Sequence, residues 1–313
     1  MINCQNLSKH YGALTAIDNL SFQVQPGEVL GFLGPNGAGK STTMRIIAGF
    51  LAPSSGHVSV CGLDIATHGT EAKRRIGYLP EGAPSYPEMT PRSFLEFVSD
   101  VRKIPADKRR QRLDEVYGQL HLDRVADQPI DTLSKGYKRR VGLAQAILHD
   151  PEVLILDEPT DGLDPNQKFE VRELIDNMAK NKIIVISTHI LEEVEALCSR
   201  AMIIAQGRIL ADDTPQNLES RSRFHNAVSI KFTDTSTLPD AKREIENLNE
   251  VDTISVDSMT GLITAFPAAG KQPFAAVTGL AQSRNWPISE LHLESGRLDE
   301  VFRAITTGDG AGA

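Results

Sequence analysis

The sequence predicts an α/β protein, a largely parallel sheet flanked by helices, followed by a smaller domain of mixed strands and helices. Two observations carry that reading. Apolar runs such as Val29-Leu30-Gly31-Phe32-Leu33 and Val153-Leu154-Ile155-Leu156 look like strands buried on both faces, and helical patterns separate them, as in βαβ units. Beyond residue 226 the order becomes β-α-β-β-α-β, a different topology and so a second domain.

The composition agrees with this. A chain of 313 residues, 40% hydrophobic and 24% charged, has room for one large or two ordinary globular domains. Its formal net charge of −8 argues against a nucleic-acid partner held by a broad basic surface. Cys4, Cys61 and Cys198 stand far apart without metal-ligand spacing and read as reduced thiols. No basic-then-apolar leader opens the chain, and no uncharged apolar run reaches the length of a membrane span. Work at a membrane would therefore need another chain to supply the span.

Residues 2–29 read as short strands and turns, with alternation in Leu20-Ser21-Phe22-Gln23-Val24, a turn at Pro26-Gly27, and Tyr11-Gly12 in a loop. The strand over 29–33 runs into Gly34-Pro35-Asn36-Gly37-Ala38-Gly39-Lys40-Ser41, which fits G-x-x-x-x-G-K-[ST]. A helix over 42–50 follows, starting at Thr42, with Met44, Ile46, Ile47 and Phe50 spaced for one face. Strand, glycine loop and helix together make a phosphate site, because loop N–H groups and the positive end of the helix dipole face the anion. Tyr11, an aromatic upstream of the loop, either stacks on a base or packs.

A turn at Pro53-Ser54-Ser55-Gly56 leads to a strand over 57–61, and Ile76-Gly77-Tyr78-Leu79 is another, ending at Pro80-Glu81-Gly82. Residues 90–149 turn helical, with Phe94, Phe97 and Val101, then Leu113, Val116 and Leu120, at apolar positions. Lys108-Arg109-Arg110 reads as a solvated face. Ser134, in Leu133-Ser134-Lys135-Gly136-Tyr137, is placed to cap a helix that runs to about His149, where Asp150-Pro151 breaks it.

The strand over 153–158 closes on two carboxylates, Asp157 and Glu158. They fall at the carboxyl edge of the sheet, where open α/β folds bind ligands. Asp161-Gly162-Leu163-Asp164-Pro165 is a loop before a helix over 168–180. One more strand spans 182–187, with His189 just beyond its end, and 203–210 is a hairpin around Gln206-Gly207. Residues 214–226 read as a polar linker. Strands at 227–232, 251–256, 262–266 and 288–293 then alternate with helices at 241–248 and 274–283, before a short amphipathic helix at 297–305 and a flexible tail at 306–313.

Phosphoryl transfer needs held phosphates, a metal to neutralise charge and a positioned nucleophile. Lys40 would reach the β- and γ-phosphates, while Ser41 and Asp157 would hold Mg²⁺. Glu158 could take a proton from an attacking water, and His189 could hydrogen-bond the γ-phosphate from the far side.

The order Tyr11, residues 34–41, 133–137, 153–158, 161–164 and His189 resembles the nucleotide-binding subunit of ABC transporters over roughly residues 2–210. The resemblance implies a P-loop NTPase (ABC ATPase) domain over 1–213, with an antiparallel β subdomain and a helical subdomain at about 88–150. Residues 227–305 would be an α+β ferredoxin-like accessory domain. Tyr11 looks like the A-loop aromatic, residues 34–41 the Walker A, and residues 133–137 the signature. Residues 153–158 look like Walker B with Glu158 as catalytic glutamate, Asp164 the D-loop aspartate, and His189 the switch histidine.

The implied activity is Mg²⁺-dependent ATP hydrolysis by a head-to-tail homodimer, with Ser134 and Gly136 meeting the partner's γ-phosphate. Integral membrane permease subunits on separate chains would use that cycle at the cytoplasmic face of the cell membrane. Residues 81–90, with Tyr86 and Met89 taken as exposed, would be where they dock.

Two departures from the family pattern stand out. The usual signature Leu-Ser-Gly-Gly-Gln reads Leu133-Ser134-Lys135-Gly136-Tyr137 here, and the Q-loop glutamine is Glu81. A carboxylate at Glu81 can still ligate Mg²⁺ or water but cannot donate as an amide does. With the extension ending Leu298-Asp299-Glu300-Val301-Phe302, these variants resemble ATP-binding subunits of bacterial type-2 ABC exporters, especially the gliding-motility type. Two other readings compete. An ABC protein acting on ribosomes would need two cassettes, and one acting on DNA long heptad coils. A regulator that binds ATP without hydrolysing it would not need Lys40, Asp157, Glu158 and His189 together.

Overall fold

The computed structural model describes residues 1–307. The chain divides into two compact units, residues 1–214 and a second beginning at Pro215. In the first, β1 (Ile2–Tyr11) and β2 (Leu14–Val24) pair antiparallel, and β3 (Val29–Leu33) leads through the glycine loop into α1 (Lys40–Ile47). Next come β4 (Ser55–Val60), β5 (Leu63–Asp64), α2 (Gly69–Arg74) and β6 (Ile76–Leu79). The helices α3 (Pro91–Val101), α4 (Ala106–Leu120) and α5 (Lys135–Ile147) follow. The unit ends with β7 (Val153–Asp157), α6 (Pro165–Ala179), β8 (Ile183–Thr188), α7 (Leu191–Leu197), β9 (Arg200–Ala205) and β10 (Arg208–Asp213).

Two sheets result: an antiparallel one in the order β2-β1-β4-β5, and a six-stranded one in the order β10-β9-β3-β8-β7-β6. In the latter β9, β3, β8, β7 and β6 run parallel, and β10 pairs antiparallel to β9. Every residue of β3, β6, β7 and β8 is buried, which is why these strands read as unbroken apolar runs. Register then places the site. Leu33 stands opposite Thr188 and Asp157 opposite Ser187, so the carboxyl ends of β3, β8 and β7 lie side by side. Helix α5 lies close on β6, because Gly77 has no side chain: a Cβ there would stand 2.1 Å from the Ala146 carbonyl.

Several expectations are corrected. Residues 2–24 form two long strands with repeated bulges, not short ones, and Tyr11 ends β1 instead of lying in a loop. Helix α1 starts at Lys40 and stops before Gly49, whose φ of 75° no helix admits, so Phe50 is exposed and packs on Tyr78 beneath the Lys73 ammonium. Phe97 and Val101 are exposed, because α3 buries Phe94, Leu95 and Val98. The elements β5 and α2 are too short for periodicity to announce. Residues 214–226 are not a plain linker: α8 (Pro215–Glu219) buries Leu218 completely.

The second unit adds β11 (Val228–Phe232), α9 (Leu238–Glu246), β12 (Val251–Asp257), β13 (Leu262–Pro267), α10 (Phe274–Ser283), β14 (Ile288–Leu293) and α11 (Leu298–Thr307). Its strands form an antiparallel sheet in the order β12-β13-β11-β14. With strands counted in chain order this is the ferredoxin-like 4-1-3-2 arrangement, and Ile230, Ile263, Ala241 and Val277 close the core. Helix α11 runs through residues 306 and 307, which the sequence had assigned to the tail; the remainder of that tail lies outside the described residues.

Candidate nucleotide site

The glycine loop joins β3 to α1 by a path only small residues allow. Gly37 and Gly39 have φ of 79° and 103°, and a Cβ on Gly34 would meet the Ile204 carbonyl at 2.2 Å. No side chain caps α1, so the N–H groups of its first turn remain free to meet an anion. Lys40, only 7% exposed, donates to the carbonyls of Gly34 at 2.6 Å and Pro35 at 3.1 Å. Burial lowers its pKa, and the carboxylates of Glu158, Asp157 and Glu81 oppose that shift. A cavity of about 420 Å³ runs along the loop, lined by Tyr11, Leu14, Ala16, Glu81, Glu158 and residues 36–42. It joins Tyr11 to the phosphate loop, with the Lys9 ammonium 5.2 Å from the ring centroid.

Asp157 is 1% exposed. Its Oδ1 accepts from Ser41 Oγ at 3.3 Å and from Ser187 Oγ, while its Oδ2 is buried and has no partner. A buried carboxylate oxygen left unpaired is costly. Beside a serine hydroxyl at the start of a phosphate-binding helix, an oxygen donor set of this kind fits Mg²⁺. Glu158 has a φ of 53°, rare for a residue with a Cβ, and its N–H donates to the Ser187 carbonyl at 3.1 Å. Burial raises its pKa, against the lowering effects of His189 and Lys40. His189 Nδ1 lies 2.9 Å from both Glu158 carboxylate oxygens, so the two residues the sequence placed at neighbouring strand ends form a pair.

Ser134, Gly136 and Asp164 lie elsewhere. Ser134 caps α5 by accepting from the Tyr137 N–H at 3.4 Å, and Asp164 caps α6 by accepting from the Gln167 N–H at 2.9 Å. A Cβ on Gly136 would stand 2.5 Å from Gln167 Oε1. Helix α5 and the start of α6 thus meet each other, at a cleft lined by Tyr137, Arg140, Asp164 and Gln167 and separate from the phosphate cavity.

Sequence reasoning missed the buried charges Arg139 and Glu193, as well as Arg140, which pairs with Glu170 at 2.7 Å. Arg139 on α5 donates to the backbone of the Asp157–Glu158 turn. Glu193 on α7 accepts from Thr160, from Thr188 at 2.8 Å and from Lys168 at 3.5 Å, tying the turn after β7 and helix α6 to the strand end before His189. None stood out in the sequence: Arg139 and Arg140 lie in the run Lys138-Arg139-Arg140 and Glu193 beside Glu192, charge clusters that read as solvated faces.

A phosphate loop on a parallel sheet, with an adjacent Asp-Glu strand end, defines a P-loop NTPase. The family profile described as "ABC transporter" matches residues 17–161. The linearmycin resistance ATP-binding protein LnrL of Bacillus subtilis is 32% identical over 98% of both chains. The Nod factor export ATP-binding protein I of Ralstonia nicotianae is 36% identical over 70% of this chain and 68% of its own. Among solved structures, an ATP-binding subunit of an ABC transporter superposes with a TM-score of 0.66 and 30% identity, over 71% of this chain and 92% of the other. The chain belongs to the ABC transporter family, as its ATP-binding, ATP-hydrolysing subunit.

Proposed function

We propose that this ATPase powers export through separate integral membrane subunits at the cytoplasmic face of the cell membrane, by ATP-driven head-to-tail homodimerisation. Two similar proteins are named for Nod factor export and linearmycin resistance, which supports the exporter class. Among the described residues no helix is long and apolar enough to cross a membrane, so the span would come from the partner. The observation that carries the dimer is the separation of Ser134 and Gly136 from the phosphate cavity of their own chain. A signature serving the phosphate of its own chain would have to line that cavity; one serving a second copy would not.

In this reading Tyr11 stacks on the adenine, while the loop N–H groups and Lys40 bind the phosphates. Asp157, Ser41 and Glu81 hold Mg²⁺, which supplies charge neutralisation at the phosphates. Glu158 accepts the proton of the attacking water and His189 keeps that carboxylate oriented. Ser134, Gly136 and Asp164 act across the dimer.

On this reading the membrane subunit docks beside Tyr86. Tyr86 is exposed and packs edge-on against Phe94 and Phe97, whereas Met89 is half-buried, contrary to the sequence expectation. Next to Phe97 runs a groove of about 540 Å³ that also exposes Phe50 and Val101, rimmed by Lys73, Arg74, Arg102 and Lys103. An amphipathic cytoplasmic helix with acidic residues would complement it. Phe97→Asp, at an exposed position, is expected to keep ATPase activity and to lose co-purification with the membrane subunits. Undiminished co-purification would remove the groove from the account.

A further inference from the structure

We infer that Arg139 is the positioning residue through which helix α5 fixes the backbone of the catalytic turn at Glu158. The inference rests on the reading of Glu158 as the base. Arg139 is 5% exposed, and its hydrogen-bond partners are carbonyl oxygens on two strand ends. Nη2 donates to the carbonyls of both Asp157 and Glu158, Nε to that of Pro159 at 3.4 Å, and Nη1 to that of Pro80 at 3.3 Å. One guanidinium therefore joins the end of β7 to the end of β6, immediately before Glu81. Its fork of five donors is what such a spread of acceptors requires, and no other side chain supplies it.

Two further observations make the link a constraint on catalysis. Glu158 sits in the left-handed region, a conformation that lasts only where its surroundings over-determine it. Its N–H is held by the Ser187 carbonyl and its C=O by Arg139, so both sides of the residue are tied. A buried cation is also costly, and carbonyl dipoles answer this one, with no salt bridge among the described residues. The charge then lies near Asp161, Asp157, Glu158 and Glu81, where it offsets the crowding of carboxylates. Ser134 caps the same helix and Gly136 lies in its first turn, so a movement of that end of α5 would reach Glu158 through one side chain.

The test compares wild type, Arg139→Gln, Arg139→Lys and Glu158→Gln as purified full-length chains. Amide hydrogen exchange is measured without nucleotide, and kcat and KM with Mg·ATP. Arg139→Gln is expected to speed exchange at the Glu158 amide by about tenfold or more. It should lower kcat by about 10- to 100-fold with KM within threefold, the signature of a displaced group rather than lost binding. Arg139→Lys, which keeps the charge but not the fork, should fall between, and it replaces Arg139→Gln if that chain does not fold. Unchanged exchange at Glu158, or turnover within twofold of wild type, would overturn the inference. A Glu158→Gln protein that still turns over would instead remove the base assignment, while the exchange result still judges the hold of Arg139 on the turn.

Discussion

Glu158→Gln is expected to abolish ATP turnover, lowering kcat by about 10²- to 10⁴-fold, the range general-base catalysis contributes, while nucleotide affinity stays within a few-fold of wild type. The substitution is nearly isosteric and keeps an acceptor for His189, but the amide cannot take a proton. Glu158 Oε1 and Oε2 both face His189 Nδ1 at 2.9 Å, and the side chain borders the phosphate cavity without gripping the loop, so binding does not depend on its charge. The environment adds a pH signature. Burial raises the pKa of Glu158 above the usual 4.5, and only the deprotonated form can act as base. Log kcat of wild type should therefore fall as pH drops through a value above the ordinary glutamate range, and be flat above it. Residual Glu158→Gln activity should lack that limb. A variant retaining a tenth of wild-type kcat would exclude Glu158 as the base.

Lys40→Ala has a different expected outcome: binding and turnover are lost together. Lys40 is the buried cation bridging the Gly34 and Pro35 carbonyls, surrounded by Glu158, Asp157 and Glu81. On the proposed reading its removal would delete a charge-assisted contact to phosphate and leave the carboxylates facing an anionic ligand. A loss of about 3 kcal/mol, about 100-fold in Kd by calorimetry, is the expected scale. Lys40→Arg should not rescue it, because the planar fork does not fit a cage built by two carbonyls around a point charge. ATP affinity within fivefold of wild type in Lys40→Ala would contradict the assignment.

Much of the catalytic core was legible in the sequence because its strands are buried on both faces and its glycine loop has few alternatives. The runs at β3, β7 and β8 read as strands without ambiguity, and parallel order then forces Lys40, Asp157 and His189 to one sheet edge. The least legible parts depend on tertiary packing. Phe50 and Phe97 have core-like spacing yet face solvent, since local periodicity cannot tell a core face from a docking face. Arg139 and Glu193 acquire their roles only from carbonyls and hydroxyls at or just beyond strand ends, brought in from 5 to 59 residues away in the chain. The pairing of His189 with Glu158, rather than with phosphate alone, likewise follows from the 2.9 Å geometry and from no residue pattern.

The central claim, a site completed by a second copy, is tested most directly by sedimentation of the Glu158→Gln chain with and without Mg·ATP. The account predicts a monomer without nucleotide and a stable dimer with it, carrying two ATP molecules per dimer, that is lost when Ser134→Arg is added. A chain that binds ATP in full and stays monomeric, alone and with the membrane subunits present, would contradict it.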